Sequence, residues 1–209
     1  MLINELSKVL KFFFPKLIWK NNHLAIEKII YLTFDDGPTP EVTQYVLELL
    51  RKYEAKATFF CIGKNIESNQ NLAKQILLEG HKIGNHTMNH VNAWQVSTQD
   101  YYNEYVACEN AINNLGTNSI GFRPPYGRIS YFMNKNLVEY TKIYMWTFIS
   151  GDYNKNNNPE RIIKSAKKSF QHGSIFIFHD SHKAFPILSK ILEPILEYGA
   201  QNNFLFKTL

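Results

Sequence analysis

The stretch IIYLTFDDGP, residues 29–38, runs from an apolar segment directly into two carboxylates and a turn. A short run this rich in β-branched and aromatic residues predicts a buried strand. Asp35 and Asp36 stand where that strand passes into a loop, and the following Gly37-Pro38 favours a turn. Taken alone, the acidic pair is explained by turn chemistry, so its meaning depends on the rest of the chain.

Strands and helices alternate from residue 28 to the C-terminus. Further strands are predicted at residues 58–62, 82–85, 121–123, 143–148, 174–178 and 204–207. Helical spacing of apolar residues predicts a helix that Pro40 opens and others near 72–78, 98–115, 131–138, 159–170 and 184–198. About seven strands alternating with helices predict a parallel α/β fold. This alternation alone leaves open whether the sheet closes into a barrel.

Chemically competent side chains follow five of the predicted strands. Besides the acidic pair they are His86, His90, Arg123, Asp152 and His179. Each has a structural explanation by itself: an HxxxH spacing decorates many surfaces, an Arg-Pro-Pro-Tyr-Gly run makes a rigid turn, and a histidine often sits in a core. The carboxyl ends of parallel strands open on one face, where active sites assemble. The joint placement therefore predicts one active site.

The residue types indicate metal-assisted hydrolysis. One aspartate and two histidines would give zinc three ligands and leave a position open for water, as in catalytic zinc sites. A bound ion lowers the pKa of water and polarises a carbonyl. A second carboxylate would then take the proton of the water, and a histidine opposite would protonate the leaving atom. No GxSxG motif and no suitably placed cysteine is present, which favours direct attack by water.

Composition bounds the class of protein. With 209 residues, 44% hydrophobic and 20% charged, the chain predicts a single globular domain. Its formal net charge is +5, and five lysines against two glutamates place +3 of this in the first thirty residues. The remainder is nearly neutral without a continuous basic stripe, so a nucleic-acid partner is not expected.

Residues 1–27 are predicted to form a basic amphipathic extension ahead of a catalytic domain over residues 28–209. Leu6, Val9, Leu10 and Phe13 recur at helical spacing before Pro15. Two fates remain open for this segment: docking on the domain as a lid, or peripheral contact with an anionic membrane surface. Lysines interrupt the apolar residues, so no secretory signal is recognised and a cytoplasmic location is expected. The sequence predicts no particular oligomeric state.

Four motifs resemble those of the polysaccharide deacetylases of carbohydrate esterase family 4. They are TFDDGP at 33–38, HTMNH at 86–90, RPPYG at 123–127 and IFH at 177–179. The resemblance spans about residue 28 to the C-terminus and implies an irregular (β/α) barrel of about seven strands. It implies that Asp36, His86 and His90 bind Zn²⁺ or another divalent ion such as Co²⁺. It further implies an acetylated glycan as substrate, with N-acetylglucosamine units losing their acetyl groups.

The resemblance also assigns the catalytic roles. It implies that Asp35 is the general base and that His179 is the general acid. Arg123 would pair with the base, and Asp152 would tune the histidine. The backbone N–H of Tyr126 would contribute to an oxyanion hole. The substrate-pocket residues implied in the same way are Pro124, Tyr153 and Ile177, the last beside the acetyl methyl.

The fourth motif of the family, Asp-x-x-Asp-Trp, is altered in this chain. Residues 149–153 read Ile-Ser-Gly-Asp-Tyr, so Ile149 replaces the first Asp and Tyr153 replaces the Trp. The core chemistry is kept, whereas the lining of the groove differs. The same catalytic residues would serve an O-acetyl esterase of the xylan type or a deformylase of a lipid-linked sugar. A glycan-binding protein without catalysis is the remaining alternative, and the complete set of catalytic residue types argues against it.

Overall fold

The computed structural model describes residues 14–21, 26–128 and 137–209. Six strands lie in these residues: β1 Lys28–Asp35, β2 Ala57–Cys61, β3 Lys82–Asn85, β4 Phe148–Ile149, β5 Ser174–His179 and β6 Phe204–Phe206. The α-helices are α1 Val42–Lys52, α2 Gly63–Ser68, α3 Gln70–Leu78, α4 Thr98–Asn113, α5 Pro159–Ser169 and α6 Phe185–Gln201. Most of the helix predicted near residues 131–138 lies outside the described residues.

All strand pairings of the sheet are parallel, which confirms the α/β prediction. The strand order is β3-β2-β1-β5-β4, and β6 also pairs with β1. Strand β1 is central, and every residue after Lys28 in it is buried. A parallel strand covered on both faces needs apolar residues without alternation, which explains the continuous run at 29–34. The register sets Asp35 at the end of β1 opposite His179 at the end of β5.

The strand predicted at residues 121–123 is reduced to isolated bridges. Phe122 pairs in parallel with Asn85 on one side and with Ile143 on the other. Gly121 has a φ of 146°, and the two prolines that follow Arg123 have no N–H to donate, so the ladder cannot extend. The strand predicted at 143–148 is likewise short. The regular ladder therefore stays open, while these bridges connect β3 to the segment that leads into β4.

Part of the predicted N-terminal extension packs against the sheet. The Ile18 N–H donates to the Ile143 carbonyl at 2.8 Å, and the Asn21 N–H donates to the Gly173 carbonyl at 2.9 Å. Leu17 and Trp19 are buried in a cluster with Phe122 and Met145. The predicted helix before Pro15 lies outside the described residues, so its lid and membrane roles stay predictions. The domain boundary at residue 28 and the cytoplasmic location also stay predictions.

Helices cover the sheet and fix its ends. The longest, α6, buries residues three or four apart, from Ile187 and Leu188 to Ile195 and Leu196. These side chains join those of α1 and of the central strands in the main hydrophobic core. Among the described residues, no helix has both the length and the apolar character that crossing a bilayer requires. The core thus holds the sheet rigidly and leaves its carboxyl edge for the site.

Candidate active site

The predicted convergence of strand ends is observed. One cavity of about 500 Å³ opens at the carboxyl edge of the sheet. Its lining includes most of the residues that the sequence singled out: Asp35, Asp36, His86, His90, Arg123, Pro124, Tyr126, Ile149, Tyr153, Ile177 and His179. Asp152 is fully buried behind His179 and does not line the cavity. The surface near the strand ends is therefore the candidate active site.

Three side chains in this cavity can hold one metal ion. The Oδ1 atom of Asp36 lies 3.4 Å from Nε2 of His90 and 3.8 Å from Nε2 of His86. The ligand atoms of all three lie within 4.8 Å of one another. Ligands about 2.1 Å from a tetrahedral zinc ion stand roughly 3.4 Å apart, so the spacing fits such an ion.

The surroundings of these three side chains favour a cation. Asp36 Oδ1 is buried and accepts no hydrogen bond from the described residues. A buried carboxylate oxygen without a partner is costly, and a bound cation would satisfy it. His86 donates from Nδ1 to the Arg123 carbonyl at 2.7 Å, which turns its Nε2 towards Asp36. Burial and the neighbouring His86 lower the pKa of His90 to about 4, so His90 stays neutral, as a metal ligand must be.

The backbone around this cluster is held in an uncommon conformation. Asp36, Thr87, His90 and Tyr126 have φ values of 86°, 64°, 55° and 60°, in the left-handed region that disfavours non-glycine residues. Such strain persists only where surrounding contacts fix it, and it clusters at functional sites. One such contact comes from Asn65, whose side chain donates to the Asp36 carbonyl at 2.7 Å. The sequence analysis missed Asn65, and its position in α2 carries no motif signal.

Asp35 forms an ion pair with Arg123. Arg123 Nη1 donates to Asp35 Oδ1 at 2.7 Å, and both side chains are buried. The guanidinium also donates to Thr33 Oγ1 and to the carbonyls of Tyr144 and Met145. Burial raises the pKa of Asp35, but the charge of Arg123 and those of two histidines outweigh it and bring the pKa below its ordinary value. Asp35 is therefore ionised and able to accept a proton.

His179 forms a matching pair with Asp152. His179 Nδ1 donates to Asp152 Oδ1 at 2.7 Å, and the His179 backbone N–H donates to Asp152 Oδ2 at 2.9 Å. Burial lowers the pKa of His179, but the hydrogen bond and charge of Asp152 outweigh burial, and the pKa is raised to about 9. Since Nδ1 is engaged, Nε2 is the nitrogen that remains for the cavity. His179 therefore carries a proton that it can give to a substrate.

The predicted pocket residues surround these two pairs. Ile177 is buried in β5, two residues before His179. The Tyr153 ring meets the His179 ring edge-on, with 5.1 Å between the ring centroids. Tyr126 lies in a 3₁₀ turn at Pro125–Gly127, with its ring 4.7 Å from that of His90. The oxyanion-hole role of its backbone N–H stays a prediction.

Asp180 is a buried residue beside the site that the sequence analysis missed. It is fully buried, and its Oδ1 accepts from the Gly37 N–H at 3.0 Å while its Oδ2 accepts from Thr43 Oγ1. Its own N–H donates to the Asp35 carbonyl at 3.1 Å. Asp180 therefore fastens the turn that carries both site aspartates. Its place directly after His179 was the available signal.

Comparisons with known proteins show which family the chain resembles over most of its length. The family model for polysaccharide deacetylase matches residues 24–149, more than half of the chain. A peptidoglycan-N-acetylglucosamine deacetylase of Bacillus cereus is 38% identical over 180 residues, covering 83% of this chain and 84% of that protein. The peptidoglycan-N-acetylglucosamine deacetylase PgdA of Listeria monocytogenes is 36% identical over 75% of this chain, which spans only 33% of that longer protein.

A solved structure gives the same result for the fold. The Xyl-CE4 domain of a multidomain xylanase from the hindgut metagenome of Trinervitermes trinervoides superimposes with a TM-score of 0.81 at 29% identity. The match covers 88% of each chain. The fold of this chain is thus shared with a solved structure over most of both chains. This chain belongs to the polysaccharide deacetylase family.

Proposed function

We propose that this protein is a zinc-dependent deacetylase that hydrolyses the acetamide of N-acetylglucosamine units in a glycan. The observation that carries the proposal is the pairing around the candidate metal ligands. A carboxylate kept ionised by Arg123 and a histidine kept protonated by Asp152 line one cavity with Asp36. A hydrolytic site needs one group to accept a proton and another to donate one, and environments that push their pKa values apart provide both.

The base and the metal ligands prepare the attack. Asp36, His86 and His90 would hold a divalent ion, which would supply a Lewis acid for the acetyl carbonyl and the water. Asp35 takes the proton from that water as the oxygen attacks the carbonyl carbon. Its ion pair with Arg123 holds the carboxylate in place, so little reorganisation is needed when the proton moves.

The acid completes the reaction. His179 gives its Nε2 proton to the amide nitrogen as the carbon–nitrogen bond breaks, and the products are acetate and a free amine. Asp152 stabilises the imidazolium before that step and fixes the ring orientation. The Tyr126 N–H is proposed to donate to the carbonyl oxygen as negative charge develops there.

The substrate assignment is supported by the relatives named above. Two of them are named for N-acetylglucosamine in peptidoglycan. The xylanase-linked domain favours a second candidate, hydrolysis of O-acetyl esters on xylan. Both reactions would use the same base, acid and metal ligands, so only the choice of substrate separates them.

An acetate-release panel tests the proposal. Chelator-treated protein, with and without added Zn²⁺ or Co²⁺, is incubated with chitooligosaccharides, peptidoglycan and acetylxylan. We expect metal-dependent acetate release that is greatest on N-acetylated glycans. Asp36→Asn should abolish it, whereas Glu48→Gln on the exposed face of α1 should leave it unchanged. Release from acetylxylan alone would establish the esterase instead, and no release from any glycan with metal present would overturn the proposal.

A further inference from the structure

A second hollow adjoins the active-site cavity beside His179. It has a volume of about 430 Å³, and Tyr153, Asn154, Lys155, Asn156 and Lys183 line it. Tyr153 and Lys183 also line the active-site cavity, so the two spaces share a wall. A polymeric substrate whose acetylated unit occupies the active site can therefore place its neighbouring unit in this hollow.

The exposed charges of this hollow are all positive. Lys155 and Lys183 are exposed, and neither forms an ion pair with any described residue. The acids nearest to them in sequence are Asp152 and Asp180, which are both fully buried. Asp152 is engaged by His179, and Asp180 is engaged by Gly37 and Thr43, so neither neutralises the two ammonium groups.

The shared wall holds one of these cations next to the catalytic acid. The Lys183 ammonium lies 5.9 Å from the centroid of the Tyr153 ring, and that ring meets His179 edge-on. Attraction between the cation and the ring face restrains the lysine without neutralising it. The side-chain amides of Asn154 and Asn156, which also line the hollow, add hydrogen-bond donors. Ammonium and amide donors without a competing acid form a surface that suits a carboxylate.

We propose that Lys183, Lys155 and Tyr153 form a subsite for a carboxylate-bearing sugar next to the unit that is deacetylated. The inference rests on the proposed function and makes the substrate more specific. The preferred glycan alternates N-acetylglucosamine with an acidic sugar, and uncharged chitooligosaccharides and acetylxylan lack the group that the subsite binds. Tyr153, which stands where the family motif has Trp, belongs to this subsite.

A matched pair of glycans tests the subsite. The first is a peptide-free glycan of alternating N-acetylglucosamine and N-acetylmuramic acid, and the second is the same glycan after its carboxyl groups are reduced to alcohols. We expect the acidic glycan to have the lower KM, and raising the salt from 50 to about 500 mM should remove most of the difference. Equal KM values for the two glycans at low salt would overturn the subsite.

Variants locate the effect. Lys183→Gln should raise KM for the acidic glycan about three- to fivefold, as expected for one exposed charge pair, and should leave kcat unchanged. KM for the reduced glycan should not move, and Lys183→Arg should restore most of the affinity. Lys190→Gln is the matched control, because Lys190 is an exposed lysine of α6 that lines neither cavity. An equal rise of KM for both glycans in Lys183→Gln would contradict the proposal.

The failure of the subsite is distinguishable from failure of the proposed function. Release of acetate from both glycans without any preference removes the subsite and leaves the deacetylase. If neither glycan releases acetate, the deacetylase proposal fails. Calorimetric binding of the two glycans to wild-type protein and to Lys183→Gln then decides the subsite, since binding does not require turnover.

Discussion

At the scale of single residues, the proton on His179 depends on a buried neighbour. Burial alone would lower the pKa of this histidine, and the hydrogen bond and charge of Asp152, together with the smaller effects of Asp36 and Asp35, hold it near 9. In its proposed role as general acid His179 must be protonated, so activity should be lost as the pH rises through its pKa.

Asp152→Asn should shift that loss to lower pH. The amide keeps the shape of the side chain but removes its charge, so only the smaller effects of Asp36 and Asp35 still oppose the burial of His179. We expect the basic limb of the kcat/KM profile to move down by about one pH unit or more. Glu48→Gln serves as the control and should keep the wild-type profile. A basic limb that stays in place in Asp152→Asn would show that His179 is not the acid.

At the scale of elements, the turn after β1 is fastened to the turn after β5. A Cβ atom at Gly37 would lie 2.0 Å from Oδ2 of Asp180, and that carboxyl is enclosed between Gly37 and Thr43. Only glycine allows this approach, so Gly37 lets the turn after β1 pack directly on Asp180, next to the paired strand ends that hold Asp35 and His179. The absence of a side chain at residue 37 is therefore required for the packing of the turn that carries both site aspartates.

Gly37→Ala should displace both strand ends. We expect a loss of about 1–3 kcal/mol in the free energy of unfolding, because the added methyl overpacks a buried contact. The value of kcat should fall as well, since both site aspartates shift with the turn. Urea unfolding and acetate release measure the two effects. Gly116→Ala is the control for stability loss without displacement of the site, because its φ of 82° disfavours alanine although a Cβ atom there meets nothing within 4 Å. It should lose about 1 kcal/mol and keep the wild-type kcat, and an equal fall of kcat in both variants would contradict this account.

At the scale of the whole molecule, the N-terminal segment supports the cavity wall. Trp19 is 6% exposed, and its ring lies 6.2 Å from that of Trp146, which lines the active-site cavity. Trp19→Ala should lower the free energy of unfolding by about 3–5 kcal/mol, as for other buried large aromatic residues. Leu78→Ala, at a position that is 86% exposed, should have little effect. Denaturant unfolding compares them, and equal stabilities would show that residues 14–21 are dispensable.

Overall stability should depend on pH through His81. Its Nδ1 accepts the Ala57 N–H at 3.2 Å, and burial, then the charge of Lys56, lowers its pKa to about 4. In the unfolded chain, His81 takes up a proton near pH 6.5. The contribution of the neutral, buried imidazole to the free energy of unfolding is therefore fully present above that pH. It is lost as the pH falls from about 6.5 towards 4.

His81→Gln should flatten this decline in stability. The wild-type loss attributable to His81 is at most about 3 kcal/mol, and the variant should lack that part of the slope between pH 6.5 and 4. Urea unfolding across this range measures it. Other groups also titrate there, so the comparison is with His182→Gln, which changes an exposed histidine and should retain the wild-type slope. A slope in His81→Gln equal to that of wild type would exclude His81 as the cause.

Sequence patterns predicted the elements unevenly. The bounds of the central strand β1 and of the amphipathic helix α6 were predicted to within a few residues. Their apolar patterns match the faces that are buried, both faces of the strand and one face of the helix. The prediction of a regular strand at residues 121–123 was wrong, because the conformation of Gly121 and the two prolines after Arg123 limit the pairing to isolated bridges. The helix α2 was missed, because six residues offer too little periodicity.

The sequence by itself determined which chemistry is available and at which strand ends it lies. Motif residues and apolar strands are local features, so Asp35, Asp36, His86, His90, Arg123 and His179 could be named in advance. Only the tertiary structure decided which groups meet. Arg123 lies 88 residues from Asp35, and Asp180 lies 143 residues from Gly37. The burial that shifts the pKa values and the basic hollow beside His179 arise from such distant contacts, which no local pattern encodes.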